Sequence, residues 1–318
     1  MTNVNGPKVV VIGGGTGLPV LLRGLRRYPI NLSAIVTVSD DGGSTGRLRE
    51  DLSIPAPGDI RKVIASMSDV EPTLLKLFQH RFENGNGISG HSLGNLILAG
   101  MTSITGDFYS GIKEISRVFN VKGRIYPIAN ENMYLKAEFE DGTVVRGESN
   151  IPKVGKPIKR VFYDPPKIEP LPEAVRAIKR AEMIVVAPGS LYTSIIPNLI
   201  APEIKQAILK AKAKKYYICN IMTQYGETEG YKASDHIKAL HDHVGDQFID
   251  EIVVHGEAIA PNIKEGYAKE KAEPVTCDEE SLMDMGVQIL KDDIASLHED
   301  GTLKHDEQKI AKLLYNLL

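Results

Sequence analysis

Short β-branched apolar runs alternate along the chain with stretches in which large aliphatic residues recur at helical spacing. Lys8-Val-Val-Val-Ile12, closed by glycines, has the form of a strand covered on both faces in a parallel sheet. Leu18, Leu21, Leu22 and Leu25 then mark a helix and Ser33-Ala-Ile-Val-Thr-Val38 a second strand, so the chain opens β-α-β. Residues 39–60, rich in Gly, Pro and charge, read as polar loops. Helical periodicity returns over 63–82, 94–102 and 108–119. Residues 123–163 change period: Arg124–Ile128, Met133–Phe139 and Thr143–Arg146 alternate apolar with polar side chains around an Asp141-Gly142 turn. That predicts an antiparallel β insertion over about 123–163. The proline-rich segment 164–172 is a stiff extended connector.

Beyond the connector the alternation resumes: a helix over 172–181, strand Met183–Ala187, a helix over about 200–213, strand Tyr216–Ile221, a helix over 234–243 and strand Glu251–His255. Ile310, Leu313, Leu314 and Leu317 form the apolar face of a closing helix, either core or a subunit contact. The pattern is that of an α/β fold with a mostly parallel, doubly wound sheet and an antiparallel β insertion. At 318 residues the length admits about two average domains or one large one. The connector marks the likeliest internal boundary, and the chain is read as a single large α/β domain over 1–318.

Composition narrows the possibilities. Hydrophobic residues make up 42% and charged residues 25%, the balance of a globular chain. A net charge of −3 provides no general field for nucleic acid or an anionic membrane, so any phosphate must be held locally. No apolar stretch approaches the ~18–20 residues of a membrane span. Met1–Lys8 lacks the basic and apolar pattern of a leader. The two cysteines, Cys219 and Cys277, are too few for a disulfide framework or a thiolate metal site, which fits a reducing cytoplasm.

The chemistry gathers at strand ends. Gly13-Gly14-Gly15-Thr16-Gly17 follows the first strand and opens the first helix, where backbone N–H groups and the helix dipole favour a phosphate. The spacing is compressed relative to a dinucleotide fingerprint, and no Lys-Ser/Thr follows as in a P-loop. Tight strand–helix packing is the alternative role. Asp40 and Asp41 lead into Gly42-Gly-Ser-Thr-Gly-Arg-Leu-Arg49. Beside a phosphate such a pair can bind Mg²⁺ or a sugar hydroxyl, or else cap its own loop. Arg47 and Arg49 offer a second anion contact or surface ion pairs. Asp59, Ser92 and Asn95 stand at helix starts, and His91 reads as structural. Gly189 with Ser190, and Asn220 with Thr223, carry neutral polar groups to two later strand tips, suited to base or sugar recognition. No nucleophile with its base emerges, so no catalytic residue is assigned.

Taken in order, Val10–Leu18, Val36–Ser44, Pro57–Arg61, Gly90–Asn95, Pro188–Ser194 and Cys219–Gln224 resemble the YvcK-type gluconeogenesis factors of bacteria, within the wider CofD-like family. The motifs cover about residues 8–228. The resemblance implies a Rossmann-like fold and a cytoplasmic regulator that binds a UDP-sugar, usually UDP-N-acetylglucosamine. Its implied role lies in cell shape and wall-precursor supply during gluconeogenic growth, through a protein partner. The implied ligand contacts are Gly13, Gly14, Gly15, Thr16, Gly17, Asp40, Asp41, Asn95, Gly189, Ser190, Asn220 and Thr223, with Tyr267 and Lys304 reaching in from the C-terminal part. No cofactor is required; Mg²⁺ at Asp40 and Asp41, and a homo-oligomer, stay open. The same superfamily contains 2-phospho-L-lactate transferase, so a Mg²⁺-dependent nucleotide transferase is the rival reading. An NAD-dependent oxidoreductase, suggested by the opening alone, lacks a His or Lys placed for hydride chemistry.

Overall fold

The computed structural model describes residues 6–318, so Met1–Asn5, part of the segment read as lacking a leader, lie outside the described residues. Twelve strands run in chain order: β1 (Lys8–Gly13), β2 (Asn31–Val36), β3 (Arg124–Pro127), β4 (Tyr134–Phe139), β5 (Val144–Arg146), β6 (Ile158–Asp164), β7 (Met183–Val186), β8 (Lys214–Ile218), β9 (Glu251–His255), β10 (Gln288–Asp292), β11 (Ala295–Leu297) and β12 (Leu303–His305). The helices are α1 (Gly17–Leu25), α2 (Gly43–Leu52), α3 (Pro57–Met67), α4 (Pro72–Gln79), α5 (Leu93–Thr105), α6 (Phe108–Val118), α7 (Pro172–Lys179), α8 (Pro202–Lys210), α9 (Ala233–Val244), α10 (Pro261–Ala268), α11 (Glu279–Asp284) and α12 (Glu307–Asn316).

Seven strands form one parallel sheet in the order β10-β9-β8-β7-β1-β2-β3, flanked by helices. This is the Rossmann-like winding, with one strand added beyond β9. The order reverses between β1 and β7, and the crevice outside their carboxyl ends is where such sheets bind ligands. Val9, Val11, Ile12, Ile184, Val185 and Val186 have no exposed surface, as strands covered on both faces require. Leu18, Leu21 and Leu22 of α1 are equally buried.

The face of α12 proves to be core: Ile310, Ala311 and Leu314 are fully buried, and α12 lies against α1. Gly24 makes that approach possible, since a Cβ there would stand 2.0 Å from the Glu307 carbonyl oxygen.

Two expectations change. The antiparallel insertion begins later than 123: Arg124–Pro127 is β3, paired parallel with β2 at the sheet edge. The alternation misleads, because Ile125, Tyr126 and Pro127 are all buried; Pro127 is tolerated at the sheet edge. The insertion itself is the three-stranded sheet β5-β4-β6. Residues 39–60 are not all loop, because α2 occupies Gly43–Leu52. Its glycines and charges hide the helical period, since α2 buries Ser44, Thr45 and Arg49 alongside a single leucine, Leu48. Among the described residues, no helix is long and apolar enough to cross a membrane.

Candidate functional site

The turn Gly13–Gly17 sits at the switch point, at the amino end of α1. Gly13 and Gly14 are buried, Gly15 is partly exposed and Thr16 is exposed. The glycines are needed for close approach. A Cβ on Gly17 would lie 2.1 Å from the Pro188 carbonyl oxygen at the tip of β7, and Gly15 has a φ of +65°. Asn198, fully buried, donates from Nδ2 to the Gly13 carbonyl at 3.1 Å and to the Ser194 carbonyl at 2.8 Å. The turn is thus fastened to the segment that follows Gly189 and Ser190.

One turn amide already holds an anionic oxygen: the Gly15 N–H donates to Asp59 Oδ2 at 2.7 Å. Asp59 is buried on α3, and its Oδ1 accepts from Lys62 Nζ at 2.9 Å. Asp59 therefore braces the turn rather than capping α3.

Asp40 and Asp41 diverge. Asp40 Oδ1 accepts from the Gly42 N–H at 2.9 Å, whereas Asp41 Oδ1 accepts from the Ser149 N–H at 2.9 Å, across in the insertion. The two Oδ1 atoms thus face different partners, and among the described residues no group of three or more His, Cys, Asp or Glu is placed to hold a metal. Burial, reinforced by the neighbouring Asp59 charge, raises the Asp40 pKa above the usual carboxylate range. Glu148 is raised further, by burial and by the charges of Asp40, Asp59, Asp41 and Glu227. Its Oε2 is closed off from solvent without a hydrogen-bond partner.

Arg49 points inward, away from any surface pair. It is 1% exposed, and all five donors are used. Nε and Nη2 donate to Asn132 Oδ1, Nη1 to the Ser39 and Asp40 carbonyls at 2.9 and 2.8 Å, and Nη2 also to the Met133 carbonyl. The guanidinium lies 4.2 Å from the Tyr134 ring centroid. Its task is to fix the loop after β2 against the insertion. Arg47, which is exposed, donates to the Ser89 carbonyl at 2.7 Å.

Asn95 is also committed internally. Its Oδ1 accepts from Arg61 Nε at 3.0 Å, and its Nδ2 donates to Ser44 Oγ at 3.1 Å. Ser92 caps α5. Ser44 Oγ also meets His91 Nδ1 at 3.0 Å, and burial lowers the pKa of that imidazole.

On the other side, Asn220 clamps Gly189. Its Oδ1 accepts from the Gly189 N–H at 3.0 Å, and its Nδ2 donates to the Gly189 carbonyl at 2.8 Å. Ser190 remains partly exposed beside it. Buried Glu227 accepts from the Tyr192 N–H at 2.9 Å and from Thr193 Oγ1 at 2.7 Å, anchoring the same segment. Thr223 pairs with the Glu273 backbone, its N–H donating at 2.7 Å and its Oγ1 accepting at 3.0 Å. Tyr267 Oη donates to the Leu303 carbonyl and accepts from the Leu303 N–H, both at 3.0 Å, and Lys304 follows, exposed. The structure thus joins Tyr267 to the strand carrying Lys304. Asp59 reads in the sequence only as a possible helix cap, and Glu148, Asn198 and Glu227 give no sequence signal as site residues, because their partners are remote in sequence.

A family profile described as 2-phospho-L-lactate transferase CofD matches residues 9–295. A gluconeogenesis factor of Halalkalibacterium halodurans is 58% identical over 306 residues, covering 96% of this chain and 95% of that protein. A gluconeogenesis factor of Bacillus subtilis is 55% identical, covering 98% of each chain. A crystal structure of a Bacillus halodurans protein superposes with a TM-score of 0.95 at 56% identity, covering 98% of this chain and 100% of that one.

Proposed function

The chain belongs to the gluconeogenesis-factor family within the CofD group, and from that premise we propose that it binds UDP-N-acetylglucosamine in the crevice between β1 and β7 as a regulator. The observation that carries the reading is the Gly15 N–H, which donates to the anionic Asp59 Oδ2 at 2.7 Å, in a glycine turn at the sheet's switch point. The first amides of α1 have no intrahelical partner and suit a diphosphate. Thr16 and Ser190 face the ligand, and Tyr267 and Lys304 close over it. Asp40, Asp41, Asn95, Asn220 and Thr223 act by holding the loops that shape the crevice. In this reading the protein controls wall-precursor supply and cell shape in the cytoplasm during gluconeogenic growth, through a protein partner; the relatives' name supports the link to gluconeogenesis alone. No cofactor is required in this reading. A Mg²⁺ brought with the ligand would lean on the diphosphate and Asp40.

Calorimetry with UDP-N-acetylglucosamine, UDP-glucose, GDP and NAD tests this. UDP-sugars should bind, and Gly15→Val should abolish their binding while the circular dichroism spectrum is kept. Failure of every UDP-sugar with the parent protein removes the reading. The transferase alternative draws on the profile's description and on the half-buried Asp40, whose carboxyl pKa is raised. Turnover of a nucleotide-activated donor that Asp40→Asn abolishes would replace regulator with enzyme.

A further inference from the structure

At the opposite, amino end of the same sheet lies a cavity of about 420 Å³, walled by the first residues of β1, β2 and β3 and by α7. Lys8 opens β1, Arg124 opens β3, and Arg176 and Arg180 approach from α7 and the residue just after it. Against these four cations, the cavity lining contains one carboxylate, Glu173, and that is taken by Arg176 at 2.6 Å. Among the described residues, Lys8, Arg124 and Arg180 have no carboxylate within 4.0 Å of their side-chain nitrogens. Elsewhere along this edge two cations are paired, Lys214 with Glu251 at 2.7 Å and Lys215 with Asp250 at 3.7 Å.

Arg124 is oriented by a 3.0 Å bond from Nη1 to Asn31 Oδ1, and the buried hydroxyl residues Ser33 and Tyr126 add neutral polar groups to the wall. A solvated basic face would spread its charges, whereas here they ring a concavity in a molecule of net charge −3. Its volume falls in the range of small-ligand sites, roughly 300–1,000 Å³.

From this geometry we infer that the cavity bounded by Lys8, Arg124, Arg176 and Arg180 is a second binding site, for a small multiply charged phosphate compound, separate from the crevice. Two guanidiniums suit bidentate phosphate contacts, and Lys8 adds a point charge. The site lies a strand length from the glycine turn, so occupancy of one does not fill the other.

Inorganic phosphate and pyrophosphate are the probes, titrated by calorimetry into the Gly15→Val protein so that the crevice does not contribute. Pyrophosphate should bind near one equivalent. Its affinity should fall about tenfold or more in Arg124→Gln/Arg180→Gln, and fall as KCl rises. If Gly15→Val does not fold, the parent protein and the arginine double variant are compared with UDP-N-acetylglucosamine saturating. The double variant should keep the parent circular dichroism spectrum and melting temperature. No binding of either probe, or binding the double substitution leaves unchanged, overturns the proposal. So does binding of a poly-glutamate peptide with neither phosphate probe, which would mark an acidic protein partner instead. Failure of UDP-sugars to bind leaves the Gly15→Val titration as readable as before, and the fallback then compares parent and double variant without the sugar nucleotide, the arginine dependence alone assigning the site.

Discussion

On the β1–β2 side of the crevice the polar side chains are mostly charged: buried Asp59 and Arg49 and half-buried Asp40 are held by backbone groups, while Glu148 Oε2 is left without a partner. On the β7–β9 side, Glu227 apart, neutral amides and hydroxyls are locked to backbone: Asn220 on Gly189, Thr223 on Glu273, Tyr267 on Leu303. The first side concentrates electrostatic cost around the glycine turn, and the second supplies shape. Removing a charge from the first should therefore cost more than removing an amide from the second.

The largest effect is expected at Arg49. Lysine keeps the charge but its three N–H donors cannot replace five bonds to four acceptors, so Arg49→Lys leaves carbonyls of Ser39, Asp40 or Met133 unpaired in a buried setting. A loss of about 3–5 kcal/mol in unfolding free energy is expected, read from urea midpoints. An unchanged midpoint would mean the charged side is no more demanding than the neutral one.

Much of this contrast is invisible in the sequence. The β1-turn-α1 opening and β7 are legible, because hydrophobic period and glycine position are local signals. Asp59 lies 44 residues from the Gly15 amide it accepts from, and Asn198 lies 185 from the Gly13 carbonyl. No spacing rule reaches that far. Arg49 sits in a helix whose buried face is largely polar, so the segment reads as a loop with surface arginines. At the other end, β10 is a polar, half-exposed edge strand with no apolar run to announce it.

Acid should separate the two sides by sign. His305 donates from Nε2 to the Cys219 carbonyl at 3.0 Å, and burial, with the neighbouring His255, lowers its pKa to about 4. A depressed imidazole is neutral in the fold. Its contribution is complete above the unfolded value of about 6.5 and is lost as pH falls from there to about 4, on the order of 2–3 kcal/mol. Partly buried His255, 3.8 Å from Asp293, is also lowered by desolvation and adds to the loss. The raised carboxyls Asp40 and Glu148 have the opposite slope, since the fold binds their protons more tightly than the unfolded chain does. Unfolding free energies measured from pH 8 to pH 4 should show a flatter acid limb in His305→Gln and less loss toward pH 8 in Glu148→Gln. Parallel profiles in the two variants would erase the distinction.

The smallest effect is expected at Asn220, which also tests it most finely. Its amide makes two bonds to Gly189, but the group is only partly buried, so water can replace much of what is lost. Asn220→Ala should lower the unfolding free energy by about 1–2 kcal/mol. Asn220→Asp keeps the acceptor for the Gly189 N–H but sets a carboxylate against the Gly189 carbonyl, so it should retain only part of the clamp. A residue that merely contacted ligand would leave stability unchanged in both variants and alter affinity alone. If Asn220 works through Gly189, stability and UDP-sugar affinity should fall together, in the order Asn, Asp, Ala, because the Ser190 turn loosens as the clamp weakens.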